Sequence, residues 1–360
     1  MLLIEIQTRA FRNLADQPVA LAPHTTVLFG QNGQGKTNFL EACYLLCTLR
    51  PLRAQKLLEM VRIGEAEAHV AGRFELPGGV REVEVHIGDG SRSARVDGKP
   101  VRDPDELFGG LATVSFTPDD LSVVKGGPEG RRRLIDRAVQ NRHPDHLADA
   151  RDYLRALRSR NHLLRQRAGG DLLASFDEPL ARLGERLRAR RREVLDELRP
   201  HAGRAFAEVA RGEAPLRLEY LASSADLPLL DALHKRLARD LERGYTSAGP
   251  HADDLSIALG ERSARAFASQ GQARAVVLAF KIGEIENLRG KQGRAPLLLL
   301  DDVSSELDPE RNAFLMSYLA QLRGQVLLTT TDPHLVAKSA TAEARFHGVS
   351  AGRIEPADPL

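Results

Sequence analysis

Two segments at opposite ends of the chain contain residue types that can together bind a nucleoside triphosphate. Residues 30–37 read GQNGQGKT and match the phosphate-binding pattern G-x-x-x-x-G-K-[ST]. Gly33 and Gly35 allow backbone conformations that turn successive N–H groups toward one anion. Lys36 adds a positive charge for the outer phosphates, and the Thr37 hydroxyl is a ligand for Mg²⁺. A Gly-rich surface turn could match the same pattern, but a predicted strand before it and a predicted helix after it favour a nucleotide site.

The second segment is an apolar run that stops at two carboxylates. Four leucines at residues 297–300 are followed directly by Asp301 and Asp302, and such a run is typical of a central strand in a parallel sheet. A carboxylate at the end of this strand can hold Mg²⁺, while a second one can orient or deprotonate an attacking water. We therefore expect Asp301 to bind the metal and Asp302, with Lys36, to act in catalysis. Alone, the pair could be turn or helix-cap carboxylates.

A third segment, residues 268–272, reads ASQGQ and begins a predicted helix. A hydroxyl together with the exposed N–H groups of a helix N-terminus can bind a phosphate. An ordinary serine N-cap would show the same residues. The segment therefore indicates a phosphate-binding role only because the other two segments are present. The residues expected to face a phosphate are Ser269, Gln270, Gly271 and Gln272.

The elements that must position these residues follow from hydrophobic periodicity and turn signals. Strands are predicted at residues 2–8, 25–29, 296–300 and 325–328, and an amphipathic helix at 37–49. Short runs at 69–75, 80–87, 92–96 and 112–116 predict an antiparallel meander. Two charged helical segments, one ending at 169–170 and one ending near Pro200, predict a short antiparallel arm. Residues 215–260 return to strand-like runs.

These elements predict an α/β fold in which both ends of the chain contribute to one lobe. We expect an amino-terminal part of an ATPase lobe at 1–125, a mainly helical lobe with the arm at 126–240, and the carboxy-terminal part of the ATPase lobe at 241–360. Antiparallel strands should flank the nucleotide core. One nucleotide site must then be closed by both ends of the chain.

The composition argues against a disordered chain, a chain dominated by one sign of charge and a membrane-spanning protein. The chain has 360 residues, 42% of them hydrophobic, and a formal net charge of +2, so it can bury a full core and has no global charge that demands an anionic partner. Its two cysteines, Cys43 and Cys47, lie one helical turn apart with no histidine at a metal-ligand spacing, which indicates packing in a reducing compartment. Without an apolar run of membrane-spanning length, we expect a soluble, cytoplasmic protein.

Several further blocks, taken with the three motifs, resemble the RecF family of bacterial recombination mediators, which carry an SMC-like ABC-type ATPase head. The resemblance spans nearly the whole chain. It rests on residues 11–14 (FRNL), 118–121 (PDDL), 125–126 (KG), 131–136 (RRRLID), 246–254 (TSAGPHADD), 268–272 (ASQGQ) and 300–308 (LDDVSSELD).

The resemblance implies an ATP-dependent homodimer with ATP and Mg²⁺ bound between a phosphate loop and the partner's residues 269–272. It also implies binding to double-stranded and gapped DNA, and help in loading RecA together with RecR and RecO. Slow hydrolysis would act as a release step. The nucleotide-binding residues implied are Arg12, Asn13, Gly30, Asn32, Gly33, Gln34, Gly35, Lys36, Thr37, Asn38, Ser269, Gln270, Gly271 and Gln272.

Departures from wider ABC patterns predict weak turnover. Asp302 stands where a glutamate is usual, Gln270 replaces a signature glycine, and residues 329–331 are threonines where many ABC proteins carry a histidine. For DNA contact, the candidates are Arg131, Arg132 and Arg133, with further arginines crowded on the first arm helix. The expected contact is with the duplex backbone, because aromatic residues for base stacking are sparse.

Two other function classes share the phosphate loop. The chain could be the ATPase subunit of an ABC-type transporter, or a P-loop kinase of a small molecule. The arginine-rich inserted lobe argues against the transporter, and a kinase would not need residues 269–272.

Overall fold

The structure is a computed structural model that describes residues 2–53, 56–76, 78–101, 112–167, 169–210, 214–225, 227–337 and 344–358. The described strands, in chain order, are β1 (Leu2–Arg9), β2 (Pro18–Ala20), β3 (Thr25–Phe29), β4 (Glu67–Leu76), β5 (Gly79–Gly88), β6 (Ser91–Val96), β7 (Lys99–Pro100), β8 (Thr113–Phe116), β9 (Leu216–Leu221), β10 (Asp254–Leu259), β11 (Arg262–Ser263), β12 (Leu297–Asp301), β13 (Val326–Thr330), β14 (Arg345–Ser350) and β15 (Arg353–Pro356).

The described helices, apart from a 3-10 turn at Leu57–Met60, are α1 (Lys36–Thr48), α2 (Pro118–Leu121), α3 (Pro128–Arg142), α4 (His146–Arg165), α5 (Gly170–Val209), α6 (Leu229–Lys235), α7 (Leu237–Arg243), α8 (Ala264–Phe267), α9 (Gln270–Gln292), α10 (Val303–Glu306), α11 (Pro309–Gln321) and α12 (His334–Ala337). None of these helices is long and apolar enough to cross a bilayer.

The chain forms two compact units, one made of Met1–Asp119 with Ile285–Leu360 and the other of Asp120–Glu284. The sequence predicted boundaries at 125/126 and 240/241 instead. The main difference concerns residues 241–284, which belong with the helical unit. The reason is long-range pairing, because β10 pairs with β9 along its whole length, and a strand belongs to the unit that supplies its hydrogen-bond partner.

In the first unit, a six-stranded sheet has the order β15-β14-β3-β13-β12-β8. All neighbours are parallel except β15, which pairs antiparallel with β14. Every residue of β12 and β13 is buried, as expected for central strands covered on both faces. Because β13 lies between β3 and β12, the carboxyl ends of these three strands meet at one edge of the sheet. The segments that follow β3 and β12 are therefore brought together.

A second, antiparallel sheet has the order β2-β1-β4-β5-β6-β7. It shares one core with α1 and the parallel sheet: this core contains Val70 and Val85 from the antiparallel sheet, Cys43 and Cys47 from α1, and Leu299 from β12. Burial raises the pKa of the Cys47 thiol to about 12, which agrees with a packing role. One prediction was wrong here: residues 112–116 are not part of the meander, because β8 pairs in parallel with β12 at the edge of the other sheet.

The second unit contains the predicted arm. Helices α4 and α5 pack through a core that includes Tyr153, Leu157, Leu180 and Leu187. The second arm helix was predicted to end near Pro200. It continues instead to Val209. It continues because Ala202, Ala205 and Phe206 on its next turns are buried, and this packing outweighs the backbone hydrogen bond that proline removes.

Residues 215–260 were predicted to return to strand-like runs, and this does not hold for the middle of the segment. Among the described residues of this segment, the strands are β9 and β10, and α6 and α7 lie between them. Leu229 and Leu233 of α6 are buried in the arm core. Their four-residue spacing is the spacing of one helix face.

The interior of this unit holds arginines paired with carboxylates. Arg160 is fully buried and donates to Asp177 Oδ1 (2.6 Å), Asp240 Oδ2 (3.1 Å) and Thr246 Oγ1 (2.8 Å). Asp177 lies on α5, while Asp240 lies on α7. One guanidinium therefore connects three helices and the chain that follows them.

We predict that Arg160→Ala lowers the free energy of unfolding by about 3–5 kcal/mol, since it leaves two buried carboxylates without their cation. Arg158 is the matched control, because it lies on the same helix and is exposed. Arg158→Ala should change the free energy of unfolding by less than about 0.5 kcal/mol. Urea unfolding followed by circular dichroism measures both. Equal midpoints for the wild type and Arg160→Ala would show that the buried pairs do not stabilise the unit.

Candidate functional site

The phosphate loop follows β3 and leads directly into α1. Gly35 precedes the first helical residue with φ +117°, and Gly33 has φ +80°, so both glycines adopt the backbone conformations for which the sequence singled them out. Gln34, within the loop, bonds to the turn after β14. Its backbone oxygen accepts from Gly352 N (2.9 Å), and its Oε1 accepts from Ala351 N (2.7 Å). The turn after β14 thus holds the loop in place.

Lys36 is buried at the start of α1, and its ammonium lies over the loop. Nζ donates to the backbone oxygens of Gly30 (2.7 Å) and Gln31 (2.9 Å). Burial lowers the pKa of Lys36, an effect opposed by the charges of Asp302 and Asp301. The ammonium is therefore held among carbonyl oxygens that phosphate oxygens could replace as acceptors.

The structure brings the carboxylates at the end of β12 to this loop. Thr37 Oγ1 donates to Asp301 Oδ1 at 2.8 Å, although the two residues are 264 positions apart in sequence. Asp301 is buried, and this burial raises its pKa despite the hydrogen bonds from Thr37 and Thr329. The two oxygens are hard donors, and their separation is close to the about 2.9 Å between neighbouring ligands around an octahedral Mg²⁺. Thr37 and Asp301 therefore fit a magnesium site.

Thr329, at the end of β13, connects the two carboxylate residues. Its hydroxyl donates to Asp301 Oδ1 (2.9 Å) and accepts from the backbone N–H of Asp302 (2.9 Å). The sequence identified residues 329–331 only as the place of a missing histidine. It could not show this contact, because the contact depends on β13 lying between β3 and β12.

Asp302 adopts a left-handed conformation, with φ +48° and ψ +32°, immediately before α10. Its Oδ1 is buried and has no hydrogen-bond partner among the described residues, and the same holds for Ser304 Oγ two residues later. A buried carboxylate oxygen without a donor is costly. Water or a metal-bound ligand next to it would supply the missing partner.

A cavity of 330 Å³ lies between the loop and the carboxylates. Its lining residues are Asn32, Gly33, Gly35, Lys36, Thr37, Asn38, Arg53, Pro118, Asp301 and Asp302. Seven of the predicted nucleotide and metal ligands in this unit therefore share the cavity with the predicted catalytic Asp302, whereas Arg12, Asn13, Gly30 and Gln34 do not line it.

Arg53 is a lining residue that the sequence did not reveal. Its guanidinium lies 3.9 Å from Asp301 Oδ2 and 3.9 Å from Asp119 Oδ2. Its backbone N–H donates to Glu41 Oε1 at 3.0 Å. No motif surrounds it, so only the structure separates it from the many other arginines.

Arg12 and Asn13 were predicted to bind nucleotide; neither lines this cavity, and their nucleotide contact stays a prediction. Arg12 forms an ion pair with Glu41 (Nη2 to Oε2, 2.6 Å). Asn13 Nδ2 donates to Gly33 O (3.1 Å), and Asn13 Oδ1 accepts from Asn38 Nδ2 (2.7 Å). Asn13 therefore connects the loop with the first turn of α1, while Arg12 contacts the next turn of the helix.

In the second unit, residues 269–272 begin α9 as expected. Ser269 Oγ accepts from Gln272 N (3.1 Å), and Gln272 Oε1 accepts from Ser269 N (2.8 Å), a reciprocal capping box. Ser269 and Gln270 are exposed. Because Ser269 Oγ accepts one hydrogen bond from the helix, its O–H can still donate outward to an anion.

The arginines predicted to contact DNA do not share one environment. Arg131 is buried, donates from Nε and Nη2 to both oxygens of Asp254 (2.8 Å each) and cannot reach a DNA phosphate without breaking this pair. Arg132 Nη1 donates to Asp253 O at 2.8 Å. Arg133 has 72% of its side chain exposed and pairs with Glu129 one turn earlier. DNA contact therefore stays a prediction mainly for Arg133.

Comparison with known proteins shows which family the chain resembles. The family model described as the RecF/RecN/SMC N-terminal domain matches residues 2–352. The DNA replication and repair protein RecF of Anaeromyxobacter dehalogenans (strain 2CP-C) is 52% identical to this chain. The match covers 99% of this chain and 99% of that relative. That of Myxococcus xanthus (strain DK1622) is 51% identical, covering 98% of this chain and 97% of the relative.

Solved structures show the same fold. The recombination mediator protein RecF of the RecFOR pathway in its ATP form has a TM-score of 0.88 at 30% identity, covering 99% of this chain and 98% of the other. An SMC head bound to the C-winged helix domain of ScpA has a TM-score of 0.58 at 16% identity, and this likeness concerns the fold alone. The predicted SMC-like α/β ATPase fold is confirmed, and this chain belongs to the RecF family.

Proposed function

We propose that this chain is an ATP-controlled DNA-binding protein of recombinational repair. ATP binding would close a homodimer on duplex or gapped DNA, and slow hydrolysis would release it. The observation that carries this proposal is the meeting of Lys36, Thr37, Asp301 and Asp302 around one cavity. Two relatives solved with ATP or an ATP analogue support the choice of nucleotide.

Each residue of the site has a distinct task in this proposal. Lys36 and the loop N–H groups would bind the phosphates, while Thr37 and Asp301 would hold Mg²⁺. Bound Mg²⁺ supplies positive charge that neutralises the phosphate oxygens. Asp302, whose Oδ1 lacks a hydrogen-bond partner among the described residues, would accept a proton from the attacking water. An aspartate reaches less far than the usual glutamate, so we expect weak turnover.

The dimer would form because Ser269 and its helix N-terminus bind the phosphate held by the partner's loop. The exposed Ser269 hydroxyl supports this, as does Phe267, which is 71% exposed two residues before it. An exposed aromatic side chain beside a polar anion-binding group is typical of surfaces that become buried on association. ATP would then act as a bridge, and its hydrolysis would remove the bridging phosphate.

DNA and the other mediator proteins complete the proposal. Exposed arginines such as Arg133, Arg158 and Arg165 can neutralise phosphates without reading bases. RecR and RecO are the proposed protein partners, and RecA loading is the proposed outcome, which the RecFOR pathway named for two structural relatives supports. The transporter and kinase alternatives lose support, because the full-length relatives are DNA replication and repair proteins.

We predict that Ser269→Arg leaves ATP binding intact but prevents ATP-dependent dimerisation, because the added side chain blocks the partner's phosphate. Lys36→Ala should lose both properties. Ser263→Arg is the matched control, since Ser263 is also exposed and lies six residues earlier. Nucleotide titration and sedimentation velocity with and without ATP separate the outcomes. If Ser269→Arg loses ATP binding as fully as Lys36→Ala, the segment acts within its own subunit and the bridge is wrong.

We predict that Asp302→Asn keeps the protein on DNA after ATP is added, because the amide cannot take the proton from water. Wild-type protein should leave DNA as ATP is consumed, and should stay with a non-hydrolysable analogue. DNA retention on gapped, duplex and single-stranded substrates with ATP, ADP and the analogue measures this. Asp332→Asn, two residues after the neighbouring strand β13 ends, serves as the control. If Asp302→Asn leaves DNA as fast as the wild type does, Asp302 has no catalytic role.

We predict that Thr329→Val lowers the hydrolysis rate by about 10–100-fold, the usual cost of losing a group that orients a metal ligand. ATP affinity should change much less, and Thr329→Ser should restore activity. Thr330→Val is the control, since the Thr330 hydroxyl donates to Asp332 O and not to a site carboxylate. Phosphate release and nucleotide binding are measured separately. A pure loss of affinity, or no rescue by serine, would contradict a positioning role.

A further inference from the structure

Three side chains on the antiparallel sheet form a group that the proposed ATPase cycle does not use. Glu67 and His69 lie two residues apart on β4 and so share one face, and His69 is directly opposite His86 on β5. The alternate residues Ala68, Val70, Val85 and Ile87 are buried in the core. Glu67, His69 and His86 therefore project from the outer face of the sheet.

The three side chains converge through the atoms that can bind a metal. His86 Nε2 lies 2.8 Å from Glu67 Oε2, and His69 Nε2 lies 3.4 Å from Glu67 Oε1. The ligand atoms of the group all lie within 4.8 Å of one another. With metal–ligand bonds of about 2.0–2.1 Å, neighbouring ligands of a tetrahedral zinc ion lie about 3.3–3.4 Å apart. Small side-chain rotations would therefore bring all three onto one ion.

A glycine makes room for this convergence. Gly88 is opposite Glu67 in the β4–β5 pair. A Cβ at this position would lie 3.1 Å from His86 Cε1 and 3.6 Å from Glu67 Cβ, which is tight for the imidazole. Because position 88 has no side chain, His86 can lean along the strand toward Glu67.

The neighbouring strands add one charge and one hydroxyl to the same row. Arg9 of β1 is the register partner of His69, and Ser93 of β6 is the partner of His86. The hydrogen bonds from His86 and His69 hold the pKa of Glu67 below its ordinary value.

We propose that Glu67, His69 and His86 form a binding site for a divalent transition metal of the zinc class. The carboxylate and the Nε2 atoms of both imidazoles are the three protein ligands, and the fourth position faces solvent. Each imidazole then carries its remaining proton on Nδ1. The ion connects β4 with β5.

Equilibrium dialysis of the full-length, untagged protein against Zn²⁺ tests the site. Excess Mg²⁺ is kept present so that the oxygen ligands at Asp301 and Asp302 are not available to zinc. We expect one zinc per chain. Glu67→Gln, His69→Asn and His86→Asn should each lower zinc affinity by more than about 10-fold. With Co²⁺ as the probe, the visible absorption of a four-coordinate ion should appear in the wild type and disappear in these variants.

Glu75→Gln is the matched control, because Glu75 is exposed on the same strand and the same face and lies outside the cluster. It should bind zinc as the wild type does. ATP binding by Glu67→Gln should also be unchanged, which shows that the variant is folded and separates this site from the nucleotide site. Absence of zinc binding in the wild type, or wild-type affinity in Glu67→Gln, would overturn the proposal.

Discussion

The site depends on the position of one strand, β13, between the strand that ends at the phosphate loop and the strand that ends at the carboxylates. Through it, a single threonine hydroxyl contacts both Asp301 and the backbone of Asp302. Asp301 is buried, and its nearest described cation, Arg53, is 3.9 Å away. Two adjacent carboxylates in such a place repel each other and are poorly solvated. A divalent cation has the complementary charge, so the same arrangement that is costly in the fold favours the binding of such an ion.

The elements that the sequence predicted well are those whose pattern is local. The strands around residues 2–8 and 25–29, helix α1 and the leucine run of β12 all carry their own periodicity. Sheet membership of β8 could not be predicted, because a four-residue apolar strand contains no information about its partner. The helices between β9 and β10 are a different case. The spacing of Leu229, Leu233, Leu237 and Leu241 follows the helical period, and this signal was available but was read as strand.

For the arginines of the second unit, the sequence indicated which side chains are buried, but it did not indicate their partners. Arg131 lies on the same helical face as Leu134, Ile135 and Ala138, all buried, so periodicity already indicated that its side chain faces inward. Tyr153, Leu157, Arg160 and Leu164 follow one face of α4 in the same way. The partners of these arginines were not predictable, since they lie on other elements, and neither was the role of Arg53 or Thr329 in the nucleotide site.

These buried pairs give a physical reason for two of the family-specific sequence blocks. Arg131, in the RRRLID block, binds Asp254, while Asp253 accepts from both Nε and Nη2 of Arg188 on α5. Both aspartates belong to the block at residues 246–254, and β10 begins at Asp254. From β10 the chain passes through β11 and α8 to Ser269. The arginine pairs therefore anchor the base of the segment that ends in the exposed helix N-terminus. In the proposed dimer, Ser269 binds the phosphate held by the partner, and such a group needs a fixed position more than it needs additional charge. The buried arginines of this unit thus support the placement of Ser269, while contact with DNA stays a prediction for exposed arginines such as Arg133.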